Sequence, residues 1–175
     1  MRTKKLSVQS ITIMAMLIAL NIILARGLSL SLTEYMRISF GFLPTAVAGF
    51  LLGPVPAMIV GGVADVLGYL LKPTGPYHFG FTLTAILAGL TYGLLFYRRD
   101  VKLWHILLAK LLIDLCLNIG LNTLWVHQLY GKAILVLLPS RAYKNLFQYP
   151  VDVALLFATV TLLKRLPQSL KPPMK

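Results

Sequence analysis

Acidic side chains are nearly missing from this chain: five Asp or Glu stand against 17 Lys or Arg, a formal net charge of +12. Cysteine occurs once, as Cys116 inside an apolar run, which excludes a disulfide or a cysteine-based metal site within the chain. No Gly-rich loop ending in Lys-Ser or Lys-Thr occurs, so ATP has no P-loop to sit in. The three histidines, His78, His105 and His127, share no ligand spacing and form no His-Glu-x-x-His, so metalloprotease chemistry has no support. A Gly-x-Ser-x-Gly elbow is missing too. Without an activated nucleophile, a carboxylate pair or a metal set, the chain reads as a non-enzyme with no cofactor. A basic balance of this size raises nucleic acid as a partner. The cations, however, sit at the ends of apolar segments, where anionic lipid and membrane orientation account for most of them.

Apolar residues are what the chain has in plenty. They make up 58% of it, charged residues only 13%, and the mean hydropathy is +0.79, outside the range of soluble domains. Thirteen Gly and ten Pro accompany them, as membrane helices tolerate. The 175 residues have room for one domain. The fold class this predicts is an all-α membrane protein, a six-helix transmembrane bundle, with spans at about 7–25, 38–52, 55–71, 79–97, 103–126 and 146–163. Only Gly53 and Pro54 separate the second span from the third, so those two must form a tight hairpin. The first span has a basic start but no small-residue cleavage site, and reads as a retained helix. Placing both termini in the cytoplasm puts ten Lys/Arg inside and six outside, with Lys110 within the fifth span. That is the sense of the positive-inside bias.

Six cations kept on the outer side, Arg26, Arg37, Lys72, Lys132, Arg141 and Lys144, face one acid, Glu34. Translocated loops normally shed such residues, so an anionic small molecule is their natural user, with Arg suited to a carboxylate. Contact with lipid headgroups is the competing explanation for any one of them. The loop from Lys72 to Gly80 is stiffened by Pro73 and Pro76 and turned by Gly75, as a lid or a plain connector would be. Three carboxylates lie within apolar spans, where ionisable groups usually have a partner or a pathway. Asp65, in Gly61-Gly62-Val63-Ala64-Asp65, is placed to accept hydrogen bonds from a flat heterocycle, or to pair with a neighbour such as Lys110. Asp114 stands four residues after Lys110, the spacing of a local ion pair. Asp152, after Tyr149-Pro150, reads as a helix-start carboxylate. Asn118, Asn122 and Trp125 share one face of the fifth span, a face for interhelical hydrogen bonds or for a ligand cavity. Phe40, Tyr77 and Phe81 are candidate stacking rings. Ala15 and Ala19, four apart on the first helix, form a smooth strip for close helix packing.

Several blocks together resemble a known family. They are Arg37-Ile-Ser-Phe-Gly-Phe-Leu-Pro44, Gly53-Pro54, Gly61-Gly62-Val-Ala-Asp65, Lys72-Pro-Thr-Gly-Pro-Tyr77, Leu138-Pro139-Ser140-Arg141 and Lys144-Asn145. Over nearly the full length they are similar to the folate-specific substrate-binding (S) component of energy-coupling factor transporters. The resemblance implies a six-helix bundle with cytoplasmic ends in a bacterial cell membrane, and a vitamin held in an outward cavity capped by the loops after the first and third helices. It implies a transmembrane coupling subunit docked on Ala15 and Ala19 and driven by two ATPases, which would supply the energy this chain cannot. Folate, with a flat pterin and an anionic glutamate tail, places its ring near Asp65, Asn118, Asn122 and Trp125 and its tail near Arg26, Lys72 and Arg141. Phe40 and Tyr77 complete the expected contacts. Two other readings remain open: an S component for another vitamin, such as pantothenate or a pyrimidine precursor, and a structural membrane subunit without a ligand.

Overall fold

The computed structural model describes residues 8–27, 30–33, 36–73, 75–131 and 133–165. Helix α1 (Val8–Ile22) runs on through a π-helical turn, Ile23–Gly27. A short antiparallel hairpin, β1 (Leu30–Thr33) and β2 (Met36–Ile38), follows. Then come α2 (Phe42–Leu52), α3 (Pro54–Leu71), α4 (Phe79–Phe96), the composite rod α5 (Leu103–Tyr130) and α6 (Ile134–Arg165). Five of these rods are long and apolar enough to cross a membrane, counting α6 from Arg141; α2, with 11 residues, is apolar but shorter.

The chain folds back on itself at every connection. Arg26 at the end of α1 touches Lys72 at the end of α3, so those two ends lie together. Asn21 of α1 reaches Gly41 and Thr45 at the start of α2. At the opposite end Gly53, with a φ of 98° that only glycine adopts freely, lies against the Tyr97 ring after α4. Asp100, between α4 and α5, pairs there with Lys164 of α6 at 2.5 Å. Hydrogen bonding from that ammonium holds the Asp100 carboxyl below its ordinary pKa. The start of α1 and the end of α6 therefore share the end that holds Gly53 and Asp100. The hairpin expected at Gly53-Pro54 is present.

Helices in lipid gain little from hiding apolar surface and rely instead on close packing. Here glycine supplies it. A Cβ on Gly61 would stand 2.5 Å from the Ala85 carbonyl oxygen, and Gly89 is as tightly set against Ala57, so α3 and α4 meet backbone to backbone. A core of Tyr92, Phe96, Ile106 and Leu156 fills the end of the bundle near Asp100. Large apolar side chains such as Val8, Leu70, Phe79, Trp104 and Phe147 point outward, as lipid allows.

Three sequence expectations need correction. The stretch before α2 pairs as a strand up to Ile38, so that helix begins at Phe42 rather than 38. The fold is helical, as expected, with one small β hairpin between α1 and α2. The segment from His127 to Asn145, expected as an outer loop, is largely helix: α5 continues to Tyr130 and α6 begins at Ile134. Pro139 and Pro150 both lie inside α6, each removing a backbone donor at a tolerable cost within a membrane bundle. Asp152 is consequently mid-helix, not at a helix start.

Candidate functional site

The half of the bundle away from Asp100 holds a cavity of about 380 Å³. Its walls come from all six helices, and three layers of contacts shape it. At its base, Lys110 Nζ lies 2.9 Å from Asp114 Oδ1 and 2.7 Å from Asp152 Oδ2, all three side chains being almost inaccessible. The Lys110 ammonium also lies 5.1 Å from the centre of the Phe42 ring, a cation–π contact. The pair at i, i+4 agrees with the sequence expectation; the second carboxylate arrives from α6.

Along one wall runs α5, π-helical from Ile113 to Leu121. Such turns are rare and frequent at functional sites. Asn118 Nδ2 donates to Asp114 Oδ1 at 2.8 Å, and Asn122 Nδ2 donates to Asn118 Oδ1 at 3.1 Å. Arg141 of α6 donates from Nη1 to the Asn118 carbonyl at 3.2 Å, which seats the guanidinium at the cavity wall. Lys144, Asn145 and Gln148 follow on the same helix and line the same space.

The opposite wall is α3 and α4. Asp65 Oδ2 accepts from Thr82 Oγ1 at 2.7 Å, and the Tyr77 hydroxyl bonds Thr82 at 2.8 Å. Because a carboxylate only accepts, the Thr82 proton is committed to Asp65 and Tyr77 must donate to Thr82. Asp65 thus pairs with a hydroxyl, not with Lys110. Trp125 donates Nε1 to Thr84 Oγ1 at 3.2 Å, and its ring centre lies 5.4 Å from that of His78. Gly80 permits this: the Trp125 ring occupies the place a Cβ there would take.

Of the ligand-binding candidates, the structure brings Asp65, Asn118, Asn122 and Arg141 to the cavity wall, and the Phe81 ring joins them. Phe40 and Trp125 stand outside the lining, as do Tyr77, Arg26 and Lys72. Arg26 Nη1 donates to the Lys72 carbonyl at 3.1 Å and Lys72 Nζ to the Arg26 carbonyl at 3.2 Å, a reciprocal clasp between the ends of α1 and α3. The Arg37 side chain, Glu34 and Lys132 lie outside the described residues. Ala15 and Ala19 are exposed on α1, beside Ile11 and Met16. Sequence reasoning passed over Asn21 and Gln148, and placed Lys144 in a loop. Asn21 was findable as the one amide in the apolar run from Ile11 to Ala25. Lys144 and Gln148 recur at the four-residue spacing of a helix face together with Asp152.

A model of the family described as "ECF transporter, substrate-specific component" matches residues 9–162. The chain belongs to this family. It is accordingly a multi-pass membrane protein whose work is to recognise a transported substrate, not to catalyse a reaction. The folate transporter FolT of Clostridium novyi (strain NT) is 39% identical over 153 residues, covering 87% of this chain and 88% of that protein. FolT of Leuconostoc mesenteroides subsp. mesenteroides is 31% identical over 157 residues, covering 86% and 84%. Among solved structures, a FolT crystallised with folic acid superposes with a TM-score of 0.81 at 35% identity, covering 86% of this chain and 92% of the other.

Proposed function

We propose that this chain is the folate-binding component of an ATP-driven energy-coupling factor uptake transporter in a bacterial cell membrane. All six helices act as one integral-membrane binding unit, with both termini in the cytoplasm and the cavity opening outward. The observation that carries the reading is the cavity itself: Asp65 on one wall and the Asn118–Asn122 amides on the other, with Arg141 and Lys144 beside them. A pterin needs acceptors and donors along a flat edge, and a glutamyl tail needs cations; both sets are present. Similarity to FolT proteins over 87% of the chain supports the same ligand. Orientation is supported by the ends of the rods. Arg98, Arg99, Lys102, Lys164 and Arg165 gather where α4, α5 and α6 meet at Asp100, the expected cytoplasmic side.

Ala15 and Ala19 present an open strip to a coupling subunit, which with its two ATPases supplies the energy. Arg26 and Lys72 act as a clasp closing the rim over the ligand, a different part from the tail contacts expected of them. Heat-of-binding titrations of the detergent-purified chain test the ligand. Folic acid should bind tightly, while pantothenate and a thiamine-type pyrimidine should give no saturable heat. A chain that binds pantothenate or the pyrimidine and ignores folic acid would reassign the cavity.

A further inference from the structure

We infer that Thr82 and Tyr77 aim Asp65 into the binding cavity: their two hydroxyls form a hydrogen-bond relay that takes one carboxylate oxygen and leaves the other for an N–H donor of the ligand. The inference rests on the folate reading and goes one step deeper into the same site.

Asp65 is a carboxylate within a membrane span, half-buried at the cavity wall. Among the described residues it forms no salt bridge, and an ionisable group at that depth needs a partner or a task. Its Oδ2 accepts from Thr82 at 2.7 Å. Its Oδ1 receives no hydrogen bond among the described residues, yet it is not one of the oxygens sealed away without a partner. What remains is an open acceptor at a cavity wall.

Thr82 is the reason. A threonine in a helix can donate to the carbonyl four residues back, and Thr12, Thr45, Thr84, Thr91 and Thr159 all do so here. Thr82 does not. Its proton crosses to α3, and the Tyr77 hydroxyl, 2.8 Å away, donates to the oxygen left behind. Tyr77 is itself fixed: its ring centre lies 5.0 Å from that of Tyr69, whose hydroxyl donates to the Gly75 carbonyl at 3.0 Å. Neither Thr82 nor Tyr77 lines the cavity. Thr82 stands behind its wall, only 4% exposed, as the one polar side chain on an apolar groove shared with Val63, Leu67 and Ile86. That groove offers Oδ2 no other donor.

A competing pull on the carboxylate comes from Arg26, whose charge acts on Asp65 from the end of α1. Without Thr82 the carboxylate is free to turn toward that charge, and Oδ1 leaves the place where a ligand would meet it. The exocyclic 2-amino group of a pterin is a donor of the matching kind. Asp65 touches the ligand in this scheme; Thr82 and Tyr77 are positioning residues that act through it.

The test compares folic acid with its 2-desamino-2-methyl analogue, in which a methyl group of similar size replaces the donor, by titration of the purified full chain. The parent should bind the analogue at least about tenfold more weakly, as sites built around a hydrogen bond do. Thr82→Val keeps the shape and removes the proton; it should weaken folic acid severalfold, leave the analogue nearly unchanged, and so erase most of the preference. Thr82→Ser restores the hydroxyl and should restore the preference. Should Thr82→Val fail to fold, Tyr77→Phe decides, since it removes one hydroxyl from a ring that is 43% exposed. It frees Thr82 to turn back to the His78 carbonyl and should lower the preference in part. In an Asp65→Ala background the preference should be gone already, and adding Tyr77→Phe should change nothing further. Thr82→Val that weakens both compounds alike marks a merely structural role and overturns the inference. An undiminished preference in Tyr77→Phe overturns it too, as does failure of Thr82→Ser to restore it. A parent that binds both compounds alike overturns it while the folate reading stands. A parent that binds neither defeats the folate reading, and the inference with it.

Discussion

Lys110 sits where two acids from different helices converge, with only 4% of its surface exposed. Removing one member of a buried ionic group leaves an uncompensated charge, which costs far more than the group contributes intact. Lys110→Met is therefore expected to destabilise the bundle by about 3–5 kcal/mol, read as a lower melting temperature of the purified protein. Replacing all three members with apolar residues of similar volume should recover much of that loss, since no charge is then stranded. If Lys110→Met melts with the parent, the trio does not carry the stability assigned to it. Half of this cluster was legible beforehand, because Lys110 and Asp114 are four apart on one helix. The other half was not. Asp152 lies 152 − 110 = 42 residues further on, and no local spacing announces a partner on another helix. The Asp65 pairing shows the same limit: Thr82 is an ordinary hydroxyl in an apolar run until the α3–α4 contact puts it 2.7 Å away.

The elements differ in how plainly the sequence declared them. Long apolar runs bounded by Gly, Pro or basic residues marked α1, α3, α4 and most of α5, because hydropathy alone suffices in lipid. Helix α6 was read twelve residues short (146 against 134). Its first half carries Arg141, Lys144 and Asn145 toward the cavity, so an average over that stretch looks like a polar loop, and Pro139 strengthens the impression. Polarity there reflects a wet cavity rather than a missing helix. The β hairpin, in contrast, had a signal that went unused: Leu30-Ser31-Leu32-Thr33 alternates with the two-residue period of a strand. Packing between elements makes its own prediction. A Cβ on Gly89 would collide with the Ala57 carbonyl, backbone that cannot swing aside as a side chain could. Gly89→Ala should force α3 and α4 apart and cost about 1–3 kcal/mol, visible as a lower melting temperature. Gly27→Ala should be neutral in the same assay, because only an ordinary contact of 3.9 Å awaits its Cβ. Equal melting of the two variants would contradict the backbone-to-backbone account of that interface.

At the scale of the whole molecule, the surfaces proposed for binding and for coupling are separate. The cavity lies inside the half of the bundle away from Asp100, and its polar groups come from α1 to α6. The Ala15–Ala19 strip lies on the outside of α1, exposed although alanine is small enough to be hidden. The buried positions of that helix, Met14, Leu17 and Asn21, lie on its other side. Two alanines one turn apart let a partner helix approach closely, and a branched side chain at either position removes that approach without reaching the cavity. The separation predicts a clean division of phenotypes. Ala15→Leu or Ala19→Leu should leave the folic acid titration of the isolated chain unchanged and its melting temperature within the usual surface range, about ±0.5 kcal/mol in stability. The same variants should fail to co-purify with a coupling subunit and its ATPases, and vesicles containing them should not accumulate folate when supplied with ATP. Arg141→Ala should show the reverse: assembly intact and ligand affinity reduced, because the guanidinium that stands at the cavity wall and props the Asn118 carbonyl is gone. Uptake that survives Ala15→Leu and Ala19→Leu together would move the docking surface to another face of the bundle, and the exposure of that strip would then be a lipid contact like those of its neighbours Ile11 and Met16.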